Sequence, residues 1–158
     1  KPPANVGAST LIVAPRCKAL LDYDVFVDVC GWVNEIIDDS RLRGQIQLAP
    51  FHPDFEFSDT RSTTTEDGEV VEDPSDYRNR APFPAFHLLR GDEVGAALQG
   101  PNPWLAESKG RSSEVVGEAV GNRNAEFLRS RGVAACRADL EACLKAAKIA
   151  CPRGAKAA

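Results

Sequence analysis

The chain has no methionine among its 158 residues and only two histidines, His52 and His87. Without an initiator residue, the sequence reads as a processed or partial chain. It contains no run of 18 apolar residues, so no segment has the length of a membrane-spanning helix. The first residues, Lys1 to Pro15, lack the charged-then-apolar layout of a secretory signal. GxSxG, P-loop, GxGxxG and HExxH motifs are all absent, and nucleophilic catalysis by Ser or Cys has no support. An excess of base is missing too: 19 Lys and Arg against 23 Asp and Glu give a net charge of −4, so no nucleic-acid partner is expected. The five cysteines form no CxxC pair and are odd in number. That pattern fits reduced, buried thiols of an intracellular compartment, with Cys143 and Cys151 the one pair placed for a disulfide.

What is present suits one domain. With 43% hydrophobic residues, the chain can bury a real core. Residues 1–8 read as an arm. Ser9–Ala14 is a β-branched apolar run, expected to be a short buried strand. Asp22 is a good N-cap, and Tyr23, Phe26, Val27, Cys30, Val33 and Ile37 follow at three- and four-residue steps. They predict an amphipathic helix over Asp22–Asp39. Gln45–Ala49 starts a second strand. Strand, helix and strand predict an α/β fold with a small parallel βαβ core and a right-handed crossover. Two strands make a poor sheet, so the sheet is expected to be incomplete in this chain, with a bare edge.

Residues 59–76 are acidic: Asp59, Glu66, Asp67, Glu69, Glu72, Asp73 and Asp76 against Arg61 make a local net of −6. They read as an exposed insertion with a small hairpin about Asp67-Gly68. Pro84 suits the first turn of a short helix carrying Phe86, His87, Leu89 and Arg90. Residues 91–98 continue helically, and 99–112 form a loop in which Trp104 and Leu105 are a candidate partner contact. Glu114–Arg131, ended by Gly132, and Ala138–Ile149 complete three or four C-terminal helices. Asn124 falls in line with Val120 and Phe127 on the apolar face. From Arg129 onward seven bases face Asp139 and Glu141, a local net of +5, ending in a basic tail at 150–158. Acidic middle and basic end either attract each other or separate partners.

Chemistry concentrates in Gln45–Phe57. If the backbone stays extended, His52, Asp54 and Glu56 share one side and Phe51, Phe55 and Phe57 the other. His52, Asp54 and His87 are candidate ligands of a divalent metal. Arg80, Arg90 and Arg123, with Asn79 and Asn124, are candidate anion binders. The plainer alternative is a buried polar network in which His52 caps a turn and Asp54 makes an Asx-type bond after Pro53.

Three segments in order, FHPDFEF, YRNRAPFPAFHLLR and RNAEFLRSRG, resemble the signatures of the domain of unknown function 1415 family. Its pattern runs F-H-P-D-aromatic-x-F, then Y-x-N-R-S/A-P-aromatic-P-x-x-H-L-L-R, then R-N-x-x-x-L-R-x-x-G. The resemblance spans about Thr10 to Arg137. It implies that His52, Asp54, Asn79, Arg80, His87, Arg90, Arg123 and Asn124 belong together, without implying what they do. Glu56 has no fixed place in the pattern and leaves the candidate set. The family's N-terminal third, with a Leu-Cys-Pro-Phe segment, is absent ahead of Lys1. The stretches around 61–72 and 100–112 are longer than is usual, and Gly91 stands where an acid commonly follows. The family's distribution in bacteria, plants and algae implies a plastid setting, the alternative being the cytoplasm.

Two functions are weighed. One is a non-catalytic binding or accessory protein, a peripheral subunit of a larger assembly. The other is a metal-assisted or phosphate-handling hydrolase using His52, Asp54 and His87, which requires those side chains to converge.

Overall fold

The computed structural model describes residues 9–57, 63–64, 70–94 and 113–146. The expected arm, the tip of the acidic stretch, Trp104, Leu105, Cys151 and the basic tail lie outside the described residues. In chain order the elements are β1 (Thr10–Val13), α1 (Tyr23–Asp39), β2 (Ile46–Phe51), β3 (Thr63–Thr64), β4 (Val70–Val71), β5 (Ala85–Arg90) and α2 (Ser113–Ala146).

Helix α1 begins where the sequence predicts. The Asp22 carboxylate accepts the N–H groups of Asp24 at 3.1 Å and Val25 at 3.3 Å, satisfying donors that the first turn leaves open. Its inward row buries Phe26 and Ile37, with Cys30 and Val33 half-buried between them. Burial pushes the Cys30 thiol up to about 11, which leaves it an unreactive core group. Cys17, Cys30, Cys136 and Cys143 are all free thiols.

The helix ends in a Schellman turn. Leu42 N–H donates to the Ile37 carbonyl and Arg41 N–H to that of Asp38, each at 2.9 Å. The left-handed position of that turn is held by Arg41, at φ 56°, where glycine is the usual occupant. Gly44, at φ 80°, then turns the chain into β2.

The sheet corrects the predicted core. Its order is β1-β5-β2, and β5 runs antiparallel to both neighbours. β1 and β2 therefore point the same way but do not pair, and the described residues form no parallel βαβ core. The predicted short helix at Pro84–Arg90 is instead the central strand, and it occupies the place between them. Pro84 sets an extended backbone as readily as a helical first turn, and β1 and β2 supply partners for the strand's N–H and C=O groups. A three-stranded sheet remains, small and open at the edge, as expected. β1 was expected to be buried, yet all four of its residues are exposed. Strands β3 and β4 pair antiparallel around the position of the predicted hairpin.

Among the described residues after the sheet, 91–94 are helical and α2 is two helical stretches joined across a kink at Gly132, whose φ of 78° and ψ of 160° break the helical path. The expected gap before Ala138 is absent, because only glycine's freedom at that one position is needed to change direction. Among the described side chains of α2, Ala125, Cys136 and Leu144 are buried and Val120 and Leu128 half-buried, whereas Asn124 and Phe127, placed on the same face by the sequence, are exposed.

Gly91 explains its own departure from the family pattern. A Cβ there would lie 2.0 Å from the Gly44 carbonyl oxygen, while Gly91 N–H donates to the Gln45 carbonyl at 2.8 Å. Two substitutions should therefore move stability in opposite directions. Gly91→Ala should cost about 1–3 kcal/mol in urea unfolding, because the clash is with backbone. Arg41→Gly should gain up to about 1 kcal/mol, relieving the left-handed strain against a more flexible unfolded chain.

Candidate functional site

The signature residues meet at the end of the sheet where β2 leaves it. Phe86 of β5 stacks against Phe26 of α1, with ring centroids 5.1 Å apart, so that side of the sheet faces α1. Pairing places Pro50 opposite Phe86, and alternation carries His52 to the same side. There His52 is fully buried, 4.9 Å from the Phe26 ring and 5.2 Å from that of Tyr23.

The expected alternation ends at His52. Pro53 and Asp54 form a tight turn, closed by Phe55 N–H donating to the His52 carbonyl at 3.2 Å. Phe55 consequently lies on the same aromatic side, 6.0 Å from Tyr23. The imidazole caps this turn itself: Nδ1 accepts the Asp54 N–H at 3.0 Å, and Nε2 lies 2.9 Å from the Leu20 carbonyl. An amide N–H can only donate, so Nδ1 carries no proton and Nε2 donates to Leu20. Both ring nitrogens are held by backbone. The turn-capping alternative describes His52, with the Asp54 amide as the partner of its Nδ1.

Asn79 and Arg80 fasten the same turn from a second segment. Asn79 Nδ2 donates to the Pro50 carbonyl at 2.8 Å, and the Asn79 carbonyl accepts His52 N–H at 3.1 Å. Arg80 is buried. Its Nε donates to the Phe55 carbonyl at 3.2 Å, and its Nη1 lies 3.2 Å from Glu72 Oε2. Its guanidinium also stacks 4.6 Å above the Tyr77 ring.

The other candidates lie elsewhere. His87 alternates to the sheet face away from α1, where its Nε2 meets Ser9 Oγ at 2.9 Å and its ring lies 6.5 Å from Phe51. The two histidines thus stand on opposite faces. Among the described residues no group of three or more His, Cys, Asp or Glu is placed to hold a metal ion. Arg90 sits at the far end of β5, bonded to Asp92 at 2.7 and 3.1 Å. Arg123 and Asn124 are exposed on α2. Arg80, Arg90 and Arg123 therefore form no common anion site. Two open hollows of about 420 and 470 Å³ share Gly44 and Ile46, also at the end of the sheet away from His52.

Several important residues carried no obvious signal. Tyr23 looked like part of the α1 core, but its hydroxyl donates to the Glu56 carbonyl at 2.8 Å and accepts Glu56 N–H at 3.2 Å. Burial raises its pKa and keeps the proton in place for that role. Asp76, fully buried, accepts Phe57 N–H at 3.0 Å. Glu72 and Asp73, hidden in the acidic stretch, anchor α2. Asp73 takes a bidentate Arg129 at 2.8 and 3.1 Å, and Glu72 takes Arg137 at 3.1 Å. Arg78 adds a bond from Nη1 to the Gly121 carbonyl at 3.0 Å. Two acids of the acidic middle, Glu72 and Asp73, thus meet two bases of the basic end, Arg137 and Arg129.

Two outcomes follow. Tyr23→Phe should destabilise by about 1–3 kcal/mol in urea unfolding, since it leaves two backbone groups of Glu56 half-buried without the hydroxyl. Burial alone would raise the Asp73 pKa, but the bonds from Arg129 and Ser75 outweigh it and hold the carboxyl at about 2 against an ordinary 3.8. A depressed folded pKa makes this contribution complete above pH 4 and lost as pH falls toward 2. Asp73→Asn should flatten that part of an acid-unfolding curve followed by circular dichroism, with little change in the shape of the curve between pH 5 and 7.

Comparison with known proteins adds one finding. No curated protein and no solved structure matches the chain. A family model described as protein of unknown function, DUF1415, matches residues 1–138, starting upstream of Thr10, where the three motifs had placed the resemblance. The chain belongs to the DUF1415 family.

Proposed function

We propose that this chain is a non-catalytic binding or accessory protein, a peripheral subunit of a larger assembly. The supporting observation is a division of labour. The signature residues His52 and Arg80, buried, and Asn79, half-buried, are bonded to the chain's own backbone and to Glu72. Meanwhile seven of the nine exposed large apolar side chains among the described residues lie on two elements, Leu11, Ile12 and Val13 on β1 and Val25, Val27, Trp32 and Ile36 on α1, with Val71 and Phe127 elsewhere. Apolar side chains grouped on a surface in this way mark contact sites. β1 also presents an edge without charge or proline, the kind that proteins usually protect. β2, by contrast, carries Pro50.

The hydrolase alternative needs His52, Asp54 and His87 to converge, and opposite faces of the sheet give it no support. A plastid setting, implied by the family's distribution, belongs to the same proposal, as do Trp104 and Leu105 as further contact residues.

Native mass spectrometry of the chain isolated gently from its source tests this. The expected result is a metal-free chain held with larger proteins. A bare 17.0 kDa monomer with a stoichiometric metal would overturn it.

A further inference from the structure

We infer that α1 is the docking element, and that its partner is a basic amphipathic helix of another protein. This rests on the accessory role proposed above and names the partner's chemistry. Helix α1 carries two apolar rows rather than one. The first, Phe26, Cys30, Val33 and Ile37, faces the sheet. The second, Val25, Val29, Trp32 and Ile36, lies about a quarter-turn away and follows the alternating four, three, four steps of d and a positions. That is the seam along which two helices pack side by side. An isolated surface helix has no use for it: Trp32 is 61% and Ile36 64% exposed, and Val25 is exposed beside them. Trp32, Ile36 and Val25 together leave on the order of 300 Å² of apolar surface open, the size of a functional patch on a monomer.

Charge selects the partner. Along the outer side of the seam run Asp24, Asp28, Glu35 and Asp39, and α1 contains no base at all. Among the described residues, Asp38 alone of the helix's five acids has an ion-pair partner, Arg43. A helix offering apolar residues at a and d with Lys or Arg beside them satisfies both rows at once. A second copy of α1 would bring acid against acid, and an anionic membrane surface would be repelled in the same way.

The test uses the full chain and three dye-labelled 21-residue helical peptides. One has Leu at a and d with Lys at e and g, one replaces Lys by Glu, and one scrambles the Lys sequence. Fluorescence anisotropy should show the Lys peptide binding, the Glu and scrambled peptides binding at least about tenfold more weakly, and affinity falling with salt. Trp32→Ala with Ile36→Ala should weaken binding by about tenfold or more, and Asp28→Asn with Glu35→Gln should weaken it and flatten the salt dependence. All four positions are exposed, and the variants should keep the circular dichroism of the unaltered chain. Equal binding of Lys and Glu peptides, no binding of the Lys peptide, or binding indifferent to the Trp32 and Ile36 changes would overturn the inference. So would self-association of the chain abolished by those changes, which would assign the seam to a second copy. If the natural assembly survives in a chain carrying Trp32→Ala and Ile36→Ala, docking through α1 is wrong while the accessory role stands. If no assembly exists at all, the accessory role falls with it.

Discussion

A buried imidazole with every polar atom occupied is the constraint on which this structure depends. Residue 52 is engaged through four groups: its N–H by Asn79, its carbonyl by Phe55 and Ala81, Nδ1 by Asp54 and Nε2 by Leu20. These bonds tie together three stretches distant in sequence: the turn before α1, the His-Pro-Asp-Phe turn after β2, and the segment leading into β5. Inside a low-dielectric core each bond matters most by what its loss would leave. An orphaned buried amide or carbonyl costs about 1–3 kcal/mol, so removing the ring would unsettle all three segments at once. The motif is an architectural joint.

A second polar layer is built on the first. Arg80 reaches from the joint to Glu72, and Glu72 also receives Arg137 from α2, while Asp73 receives Arg129. The long helix is thereby docked on the 72–78 segment by charge pairs and by Arg78 at the Gly121 carbonyl. Half-buried carboxylates shared between guanidinium groups hold geometry better than isolated surface pairs, because each guanidinium fork fixes its partner. Among the described residues, the apolar side chains that this inward-facing chemistry leaves exposed lie mostly on β1 and α1.

Much of this was legible in the sequence, and the failures have physical causes. Asp22 and the 26, 30, 33, 37 spacing fixed α1 because capping and periodicity are local. Gly132 marked the break in α2 for the same reason. The strand Ala85–Arg90 was misread because six residues carrying Phe86 and Leu89 fit a helical step as well as a strand, and its partners lie more than 30 residues away. That one error converted an antiparallel sheet into an expected parallel one. The grouping of His52, Asn79 and Arg80 was correct as neighbours. His87 and Arg90 were grouped with them by the motif, yet strand alternation sends His87 to the other face and length sends Arg90 to the other end. Arg123 and Asn124 lie exposed on α2, and the motif gives no hint of it. The bonding roles of Tyr23, Glu72 and Asp73 leave no mark in the sequence, because an aromatic in a helix and acids in an acidic run do not reveal their partners.

The central claim is that backbone groups hold both ring nitrogens of His52. Nitrogen-15 spectra of the imidazole at neutral pH, with and without added zinc, test it most directly. The account predicts a single neutral tautomer with the proton on Nε2, and signals unchanged by the metal. A proton on Nδ1, an imidazolium at neutral pH, or signals moved by stoichiometric zinc would contradict it.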